Sequence, residues 1–340
     1  MKLLFLLENT NLDNRFAYTR AVVEALAADG HEPKIAFTTG GTPADHAYQL
    51  MKEHVVHPMS QLCFHSTDAG YVGRLARHLE KYEYDALVVG QSAFVGTASN
   101  PVRISDVFEL MEKRPKLIFV GHDCSASVTQ AIKEIAHLAP SYVAVSQNVA
   151  SRFMPEVETQ VIYGPAVEPE ALGVDIRDEF GISKTMKMIG YFGNVDEINV
   201  DLLLEAAKRL KCGVLVAGTG ERIPYLSGVN GPVKVVPAMP MYRGDWFRAI
   251  DCFVYPVRSS GFPMIALEAM QAGCPVAMTP ISDMYQLLGG KGHFFGMSVE
   301  EMTKAIAGAV KSDTMALKSF VGETFTVERM LSDWNLLLHS

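Results

Sequence analysis

Short apolar runs alternate with amphipathic segments along most of the chain, and this alternation is the first guide to the fold. Continuous apolar runs of this length are typical of strands buried on both faces of a parallel sheet. The runs predict strands at residues 3–7, 33–37, 86–89, 117–120, 142–145, 188–192, 214–217, 233–236, 252–255 and 276–278. The amphipathic segments predict helices at residues 16–28, 71–82, 200–210, 242–250 and 265–272.

The strands and helices fall into two successive series. Alternating strands and helices predict an α/β fold, and two series predict two Rossmann-like, doubly wound parallel-sheet domains. The segment at 164–170 is rich in Pro and Gly and lacks periodicity, so we place the boundary there. The predicted domains are residues 1–164 and 165–322. Open α/β sheets bind ligands at their carboxyl strand ends, which we expect to face a central cleft.

The composition limits the classes of function. The chain has 340 residues, of which 49% are apolar and 20% charged, and its formal net charge is −8. This charge disfavours a nucleic-acid surface and leaves small-molecule ligands open. The five cysteines lack metal or disulfide spacing, which is typical of buried thiols in a reducing compartment. The first apolar run ends at Glu8 and is too short for a signal peptide, so we expect a cytoplasmic protein.

The segment that begins at Gly261 carries the clearest chemistry. A Gly-containing loop leads into an apolar helix, and the free N–H groups and dipole of such a helix start can bind phosphate. Glu268 is a carboxylate within this apolar helix, where it can accept hydrogen bonds from ribose hydroxyls. A partly exposed helix residue is the plainer interpretation of Glu268. Phosphate and ribose together indicate a nucleotide.

The order of motifs in the second half resembles that of the retaining glycosyltransferases of family 4, which have the GT-B fold. The motifs are a strand ending in Phe-x-Gly, a strand ending in Gly-x-Gly, and a helix with Glu-Ala-Met followed by Gly-x-Pro-Val. Here they read Tyr191-Phe192-Gly193, Gly218-Thr219-Gly220-Glu221, and Glu268-Ala269-Met270 with Gly273-Cys274-Pro275-Val276. The similarity covers residues 186–310. The last residues, 323–340, resemble the family's final helix, which packs back toward the first domain.

The resemblance implies a donor site but also shows losses in it. The first of two family glutamates falls on Ser260, and the Arg and Lys that hold the donor diphosphate fall on Asn194 and Asn199. The glycine-rich first loop of the family is replaced by residues 8–15. The residues that the resemblance places around the donor are Gly193, Asn194, Asn199, Gly218, Gly220, Glu221, Ser260, Gly261, Phe262, Pro263, Met264, Ile265 and Glu268.

The two lost cations require a substitute, unless the donor carries less charge or its turnover has been lost. A hydrogen bond to a charged group contributes about 1.5–3 kcal/mol, against about 1 kcal/mol for a neutral one. Arg258 is the favoured substitute because it precedes the helix start and has lost an acidic neighbour at 260; the other candidates are Arg222, Arg243 and Arg248. The Gly218–Glu221 segment either forms a wall of the nucleotide pocket or is a simple turn.

The first half offers candidates for the acceptor side. His122 follows a predicted strand at its carboxyl end, and in the resembling family a histidine here supports the transferring sugar. A core or capping histidine is the alternative, and Asp123 could orient the ring. Asn9, Thr10 and Asn11 follow the first strand and are either acceptor contacts or ordinary helix caps. The basic segment 74–81 is predicted to be a solvated helix face, with contact to an anionic membrane surface as the weaker alternative.

These features predict a glycosyltransferase that moves a sugar from a nucleotide-diphosphate sugar to a glycosyl acceptor. The resemblance implies retention of configuration, and the absence of an Asp-x-Asp motif or His cluster favours catalysis without a metal. No cofactor is predicted besides the nucleotide sugar as co-substrate, and no nucleic-acid partner. Catalysis is assigned to His122, Arg258 and Glu268. The alternatives are a sugar-nucleotide-binding protein that has lost turnover and regulates an active enzyme, and, with less support, a sugar-nucleotide epimerase.

Overall fold

The computed structural model describes residues 1–7, 14–37, 46–56, 70–90, 95–97, 100–123, 126–153, 157–236, 243–258 and 261–340. The strands are β1 Lys2–Leu7, β2 Glu32–Phe37, β3 Ala86–Gly90, β4 Val95–Thr97, β5 Asn100–Arg103, β6 Lys116–Gly121, β7 Ser141–Ala144, β8 Thr159–Val161, β9 Met188–Asn194, β10 Gly213–Thr219, β11 Val233–Val236, β12 Cys252–Tyr255, β13 Val276–Met278 and β14 His293–Phe294. The helices are α1 Asn14–Ala28, α2 His46–Met51, α3 Tyr71–Tyr82, α4 Ile104–Glu109, α5 Ala126–Ile135, α6 Gln147–Ala150, α7 Ile176–Glu179, α8 Val200–Leu210, α9 Ile223–Ser227, α10 Arg243–Ala249, α11 Met264–Gln271, α12 Met284–Leu287, α13 Val299–Ala309, α14 Thr314–Thr324 and α15 Val327–His339.

The chain divides into two compact units. Unit 1 comprises Met1–Gly164 together with Val327–Ser340, and unit 2 comprises Pro165–Thr326. Each unit contains one six-stranded sheet whose strands are all parallel. Both units are therefore doubly wound α/β domains, as the alternation of apolar runs and amphipathic segments predicts.

The sheet of unit 1 has the order β2-β1-β3-β6-β7-β8, and β4 pairs with β5 in a separate antiparallel ribbon. The central strands are buried because they are continuous apolar runs, as in β3, where Ala86 to Val89 are buried. The five strands predicted in this half are present. The edge strand β8 was not predicted, since its residues are half-buried and form no apolar run.

Helix α15 belongs to unit 1 although it ends the chain. Its Trp334 is fully buried, with its ring 6.1 Å from that of Phe5 on β1. The Lys116 ammonium donates to the Leu337 carbonyl at 2.6 Å, where a cation meets the negative end of the helix dipole. Asn335 adds a hydrogen bond from its amide nitrogen to the Asp29 carboxylate at 2.8 Å.

The sheet of unit 2 has the order β11-β10-β9-β12-β13-β14. Its centre is apolar throughout: every residue of β12 is buried. The edge strand β14 was not predicted, because it is two residues long and half-buried. Cys212, Cys252 and Cys274 are buried free thiols, as predicted for those three, and burial raises the pKa of Cys212 to about 11.

In the part of the chain that the structure describes, no helix has the length and apolar character needed to cross a bilayer.

Candidate functional site

One edge of the unit 2 sheet gathers most of the predicted donor residues. The strands are parallel, so β9, β10 and β12 all end at this edge. An isolated antiparallel bridge between Ile198 and Val257 joins the segments that follow β9 and β12. The residues next in sequence, Asn199 and Arg258, are therefore brought to the same edge, although they are far apart in the chain.

Glu268 lies on α11, the helix that follows β12 in the chain, and is paired with Arg243. The Arg243 Nη1 atom donates to both carboxylate oxygens of Glu268, at 2.7 and 2.8 Å. Each side chain is only 13% exposed. A carboxylate in such a position is costly without a partner, and a charge-assisted pair removes much of that cost. Glu268 is thus a fixed and largely buried group with a small exposed fraction.

Arg243 is the first residue of α10, and the segment after the domain boundary holds this helix in place. The Asp245 carboxylate is buried and accepts hydrogen bonds from the Leu172 and Gly173 amides at 2.8 and 3.1 Å. A side chain at Gly244 would collide with the Glu170 carbonyl, so the two backbones approach closely there. On the other side of α10, Trp246 is buried in the core of unit 2.

The start of α11 is buried, and its first residues are apolar. Gly261, Phe262, Pro263, Met264 and Ile265 are all buried. Pro263 occupies the N-cap position and has no side-chain oxygen with which to cap the helix. Its carbonyl accepts the Ala266 and Leu267 amides at 3.0 and 3.3 Å. Ser260 lies outside the described residues.

Asn194 and Asn199, the asparagines at the positions where the resembling family has cations, are both caps. The Asn199 side chain accepts a hydrogen bond from the Leu202 amide at 3.1 Å and is the N-cap of α8. The Asn194 side chain accepts one from the Asp196 amide at 3.0 Å and caps a short 3₁₀ turn. Asn, unlike Arg or Lys, is a favoured N-cap residue, so a structural reason exists for the amides at both positions.

The glycines at the ends of β9 and β10 permit a close approach of backbones. A Cβ at Gly218 would collide with the Gly193 carbonyl oxygen. Gly220 has a positive φ of 130°, and a Cβ there would lie 2.8 Å from the Asp196 carboxylate. Asp196 itself accepts the Glu221 and Arg222 amides, at 2.7 and 3.2 Å. The turn is therefore built around an internal carboxylate that the sequence analysis did not single out.

The four candidate cations differ in their partners. Arg243 is paired with Glu268, and Arg222 lies 3.0 Å from the Asp201 carboxylate. Arg248 is exposed and its nearest carboxylate is that of Asp245, at 3.8 Å. Arg258 is exposed, and among the residues that the structure describes it has no ion-pair partner. Arg258 is consequently the candidate whose charge is not already balanced by a described carboxylate.

His122 lies in unit 1, at the carboxyl end of β6. Its ring meets the Tyr18 ring edge-to-face, with 5.5 Å between centroids, and its Cδ2 atom lies close to Gly90 at the end of β3. The Tyr18 hydroxyl donates to the Ile162 carbonyl at 3.0 Å, and burial raises the pKa of Tyr18 well above its usual range. His122 and Asp123 are both half-buried at this sheet edge.

Three candidate residues on the acceptor side, Asn9, Thr10 and Asn11, lie outside the described residues. Within the described ranges, no group of three His, Cys, Asp or Glu side chains could hold a metal ion.

The chain is similar to known glycosyltransferases. Residues 186–312, within unit 2, match the family model described as Glycosyl transferases group 1. The lipopolysaccharide core biosynthesis mannosyltransferase LpsB of Rhizobium meliloti (strain 1021) is 29% identical over 37% of this chain. The match spans only 40% of the length of LpsB.

Two solved structures are similar along the whole chain. Sucrose-phosphate synthase from Thermosynechococcus elongatus has a TM-score of 0.75 and 14% identity, over 100% of this chain and 98% of that one. Anabaena HepE, in complex with UDP-glucose, has a TM-score of 0.75 and 18% identity, over 100% and 99%. At such identities the likeness establishes the fold, which is the GT-B fold with its two Rossmann-like parallel-sheet domains.

The Arg243–Glu268 pair is the main feature of the site that the sequence analysis missed. Arg243 was a candidate cation for the diphosphate, whereas the structure gives it a carboxylate partner. A signal was present, since a carboxylate in an apolar helix needs a partner. The sequence pattern does not indicate which of the four candidate arginines pairs with Glu268.

Proposed function

We propose that the protein is a glycosyltransferase of family 4 that moves a sugar from a nucleotide-diphosphate sugar to a glycan, lipid-linked or small-molecule acceptor. The transfer retains the anomeric configuration and needs no bound metal. The observation that carries the proposal is Glu268. It is a fixed, largely buried carboxylate on α11, next to the carboxyl edge of a parallel sheet, inside the region that matches Glycosyl transferases group 1. A carboxylate at that edge of an α/β sheet is suited to hold ribose hydroxyls.

The ion pair with Arg243 leaves Glu268 able to bind a sugar. A carboxylate offers about four lone-pair sites, and Arg243 uses one on each oxygen. The remaining sites can accept hydrogen bonds from two vicinal ribose hydroxyls. In this role Arg243 is a positioning residue that holds the carboxylate in one orientation.

Arg258 is proposed to balance the charge of the diphosphate that leaves the sugar. It is exposed beside the Ile198–Val257 bridge, at the edge where β9 and β12 end, and no described carboxylate neutralises it. The start of α11 adds the partial positive charge of a helix N-terminus. A cation and a helix start aimed at a developing negative charge are the usual means of stabilising such a leaving group.

His122 is proposed to contact the transferring sugar, with Asp123 beside it. Asn9, Thr10 and Asn11 are proposed acceptor contacts. A uridine diphosphate sugar is the first donor to test because the similar structure of HepE contains UDP-glucose.

The experiment combines calorimetric binding with donor consumption, using UDP-glucose, other UDP-sugars and GDP-sugars. We expect one donor to bind wild type, at least tenfold weaker binding to Arg258→Ala, and no measurable binding to Glu268→Ala. Arg209→Ala is the matched control, because Arg209 is a half-exposed arginine of unit 2 paired with Glu205 on α8. No binding of any nucleotide sugar to wild type would refute the proposal.

A second candidate, a sugar-nucleotide-binding regulator, rests on one observation: Asn194 and Asn199 act as caps at positions where the resembling family has cations. The same experiment separates the two functions. Tight donor binding without hydrolysis or transfer, over a panel of acceptors, would support the regulator and contradict the enzyme.

A further inference from the structure

A cavity of about 640 Å³ lies at the outer edge of the unit 2 sheet, between β14 and α13. It shares no residue with the candidate donor site. Its lining includes Tyr285, His293 and Phe294 on one side and Glu301 and Lys304 of α13 on the other. A volume of several hundred Å³ is typical of pockets that bind small molecules.

Four polar side chains line this cavity without hydrogen-bonding to one another. In the ranges that the structure describes, the side chains of Tyr285, His293, Glu301 and Lys304 form neither hydrogen bonds nor ion pairs. The Ser298 hydroxyl oxygen accepts a hydrogen bond from the Glu301 backbone amide at 3.2 Å, a helix cap that does not involve the Glu301 carboxylate. Polar groups that converge on a pocket without binding one another are available to a ligand.

A second cavity in the same unit has a different arrangement around its tyrosine. This second cavity, of about 580 Å³, is lined by Asp201 and Tyr225. There the Tyr225 hydroxyl donates to Asp201 at 2.9 Å, and the Arg222 guanidinium lies over the Tyr225 ring. The Tyr225 hydroxyl and the Asp201 carboxylate of that cavity are therefore paired with each other, whereas the Tyr285 hydroxyl and the Glu301 carboxylate are not paired in the described residues.

The aromatic side chains of the cavity, Tyr285 and Phe294, form an aromatic platform, a surface on which a sugar ring can stack. Tyr285 is 54% exposed, and its ring stands edge-to-face against Phe294, with 5.1 Å between centroids. The contact fixes the orientation of the Tyr285 ring while leaving much of its surface open. The face of an aromatic ring carries negative charge density and attracts the weakly positive C–H groups of a pyranose.

The charges of the cavity point to a neutral ligand. Glu301 and Lys304 balance one another, and burial lowers the pKa of His293, which favours the neutral imidazole. A pocket without net charge gives no attraction to a phosphate or a nucleotide. The side chains do offer both donors and acceptors, which adjacent sugar hydroxyls require.

We propose that the cavity between β14 and α13 binds a neutral saccharide, stacked on Tyr285 and hydrogen-bonded to Glu301 and Lys304. This site is additional to the proposed donor site. It would hold a sugar unit of a glycan away from the edge where Glu268 lies.

Saturation-transfer NMR tests the proposal with methyl α-glucoside, methyl α-mannoside and methyl α-galactoside, and with a trisaccharide of any sugar that binds. We expect ring C–H signals with wild type and at least tenfold weaker binding to Tyr285→Ala and Glu301→Gln. Tyr285→Phe should keep most of the affinity because the platform remains. Tyr225→Ala is the matched control and should bind as wild type. Tighter binding of the trisaccharide would identify a glycan chain as the ligand, whereas equal binding would identify a single sugar unit.

The variant Glu268→Ala separates this site from the donor site. It should retain saccharide binding while nucleotide-sugar binding is lost, so failure of either proposal is seen independently. The saccharide proposal is overturned if none of the probes binds wild type, if Tyr285→Ala binds them equally well, or if Glu268→Ala removes their binding. Preferential binding of free nucleotides at Tyr285 would also overturn it.

Discussion

The guanidinium of Arg243 donates to both carboxylate oxygens of Glu268, at 2.7 and 2.8 Å, across two helices that are separate in sequence. Because both side chains are largely buried, removing one leaves the other charged and unpaired. We predict that Arg243→Met lowers the free energy of unfolding of unit 2 by about 3 kcal/mol. Denaturant unfolding, followed by a probe in unit 2, measures the change.

A double-mutant cycle separates the pair from general packing effects. The variant Arg243→Met/Glu268→Gln should recover a large part of the lost stability, because no uncompensated charge remains. Arg209→Met is the control, since the Arg209–Glu205 pair is about half-exposed and such pairs contribute little. Additive effects of the two single substitutions would show that the ion pair does not couple the helices.

Asn199 illustrates how a helix cap and a phosphate contact compete for one position. Its side chain caps α8 through the Leu202 amide. We predict that Asn199→Ala lowers the unfolding free energy by about 1 kcal/mol, and that Asn199→Asp is close to wild type. Asn199→Lys should lose the same cap yet strengthen donor binding at low salt, since it restores a cation.

Thermal unfolding and calorimetric titration of the three variants test this prediction. If Asn199→Lys is as stable as wild type, the Asn199 cap does not contribute to the free energy of unfolding. If its donor affinity does not rise, position 199 does not face the diphosphate.

The sequence was sufficient for the parts of the fold that are set by local pattern. Strands such as β12 are continuous apolar runs, and helices such as α8 carry a cap and an amphipathic face, so their limits could be predicted. The edge strands β8 and β14 were missed for a physical reason. They are short and half-buried, so their residues show no apolar pattern. They are strands because their backbones pair with a neighbouring strand, and the sequence pattern does not indicate that pairing.

The candidate site was predictable to a lesser degree, since it depends on long-range pairing. That Glu268 needed a partner followed from its apolar helix; that the partner is Arg243 depended on how α10 is held. Asp245 fixes α10 by binding the amides of Leu172 and Gly173, some seventy residues earlier. The carboxylate of Asp196, which accepts the Glu221 amide, is a similar case. Contacts of this kind follow from the assembled sheet and leave no mark on local periodicity.

His78 on α3 gives unit 1 a pH-dependent stability. The residue is 8% exposed, with its Nε2 atom 3.2 Å from the Tyr84 hydroxyl. Burial, assisted by the charge of Lys81, lowers the pKa of His78 from 6.5 to about 4. Between these two pH values the unfolded chain binds a proton at His78 that the folded chain does not. The contribution of the neutral His78 ring to the free energy of unfolding is therefore complete above pH 6.5 and is lost as the pH falls to 4.

We predict that the unfolding free energy of wild type, relative to that of His78→Gln, falls by at most about 3 kcal/mol over this pH range. Denaturant unfolding at several pH values measures the difference, and an NMR titration of the His78 ring gives its pKa directly. A ring that titrates near 6.5 in the folded protein, with a difference that does not change with pH, would contradict the prediction.

Trp334 anchors the last helix to the sheet of unit 1. It is 1% exposed and its ring lies 6.1 Å from that of Phe5 on β1. Truncation of a buried aromatic side chain removes its transfer free energy and leaves a cavity, so we predict that Trp334→Ala destabilises unit 1 by about 3–5 kcal/mol. Leu336 on the same helix is 68% exposed, and Leu336→Ala should leave stability nearly unchanged. Unfolding followed in unit 1 gives both values.

Because α15 is also held by the Lys116 and Asn335 hydrogen bonds, hydrogen exchange of its amides should accelerate in Trp334→Ala before the rest of the unit opens. Equal stability of the two variants would show that α15 is not part of the unit 1 core.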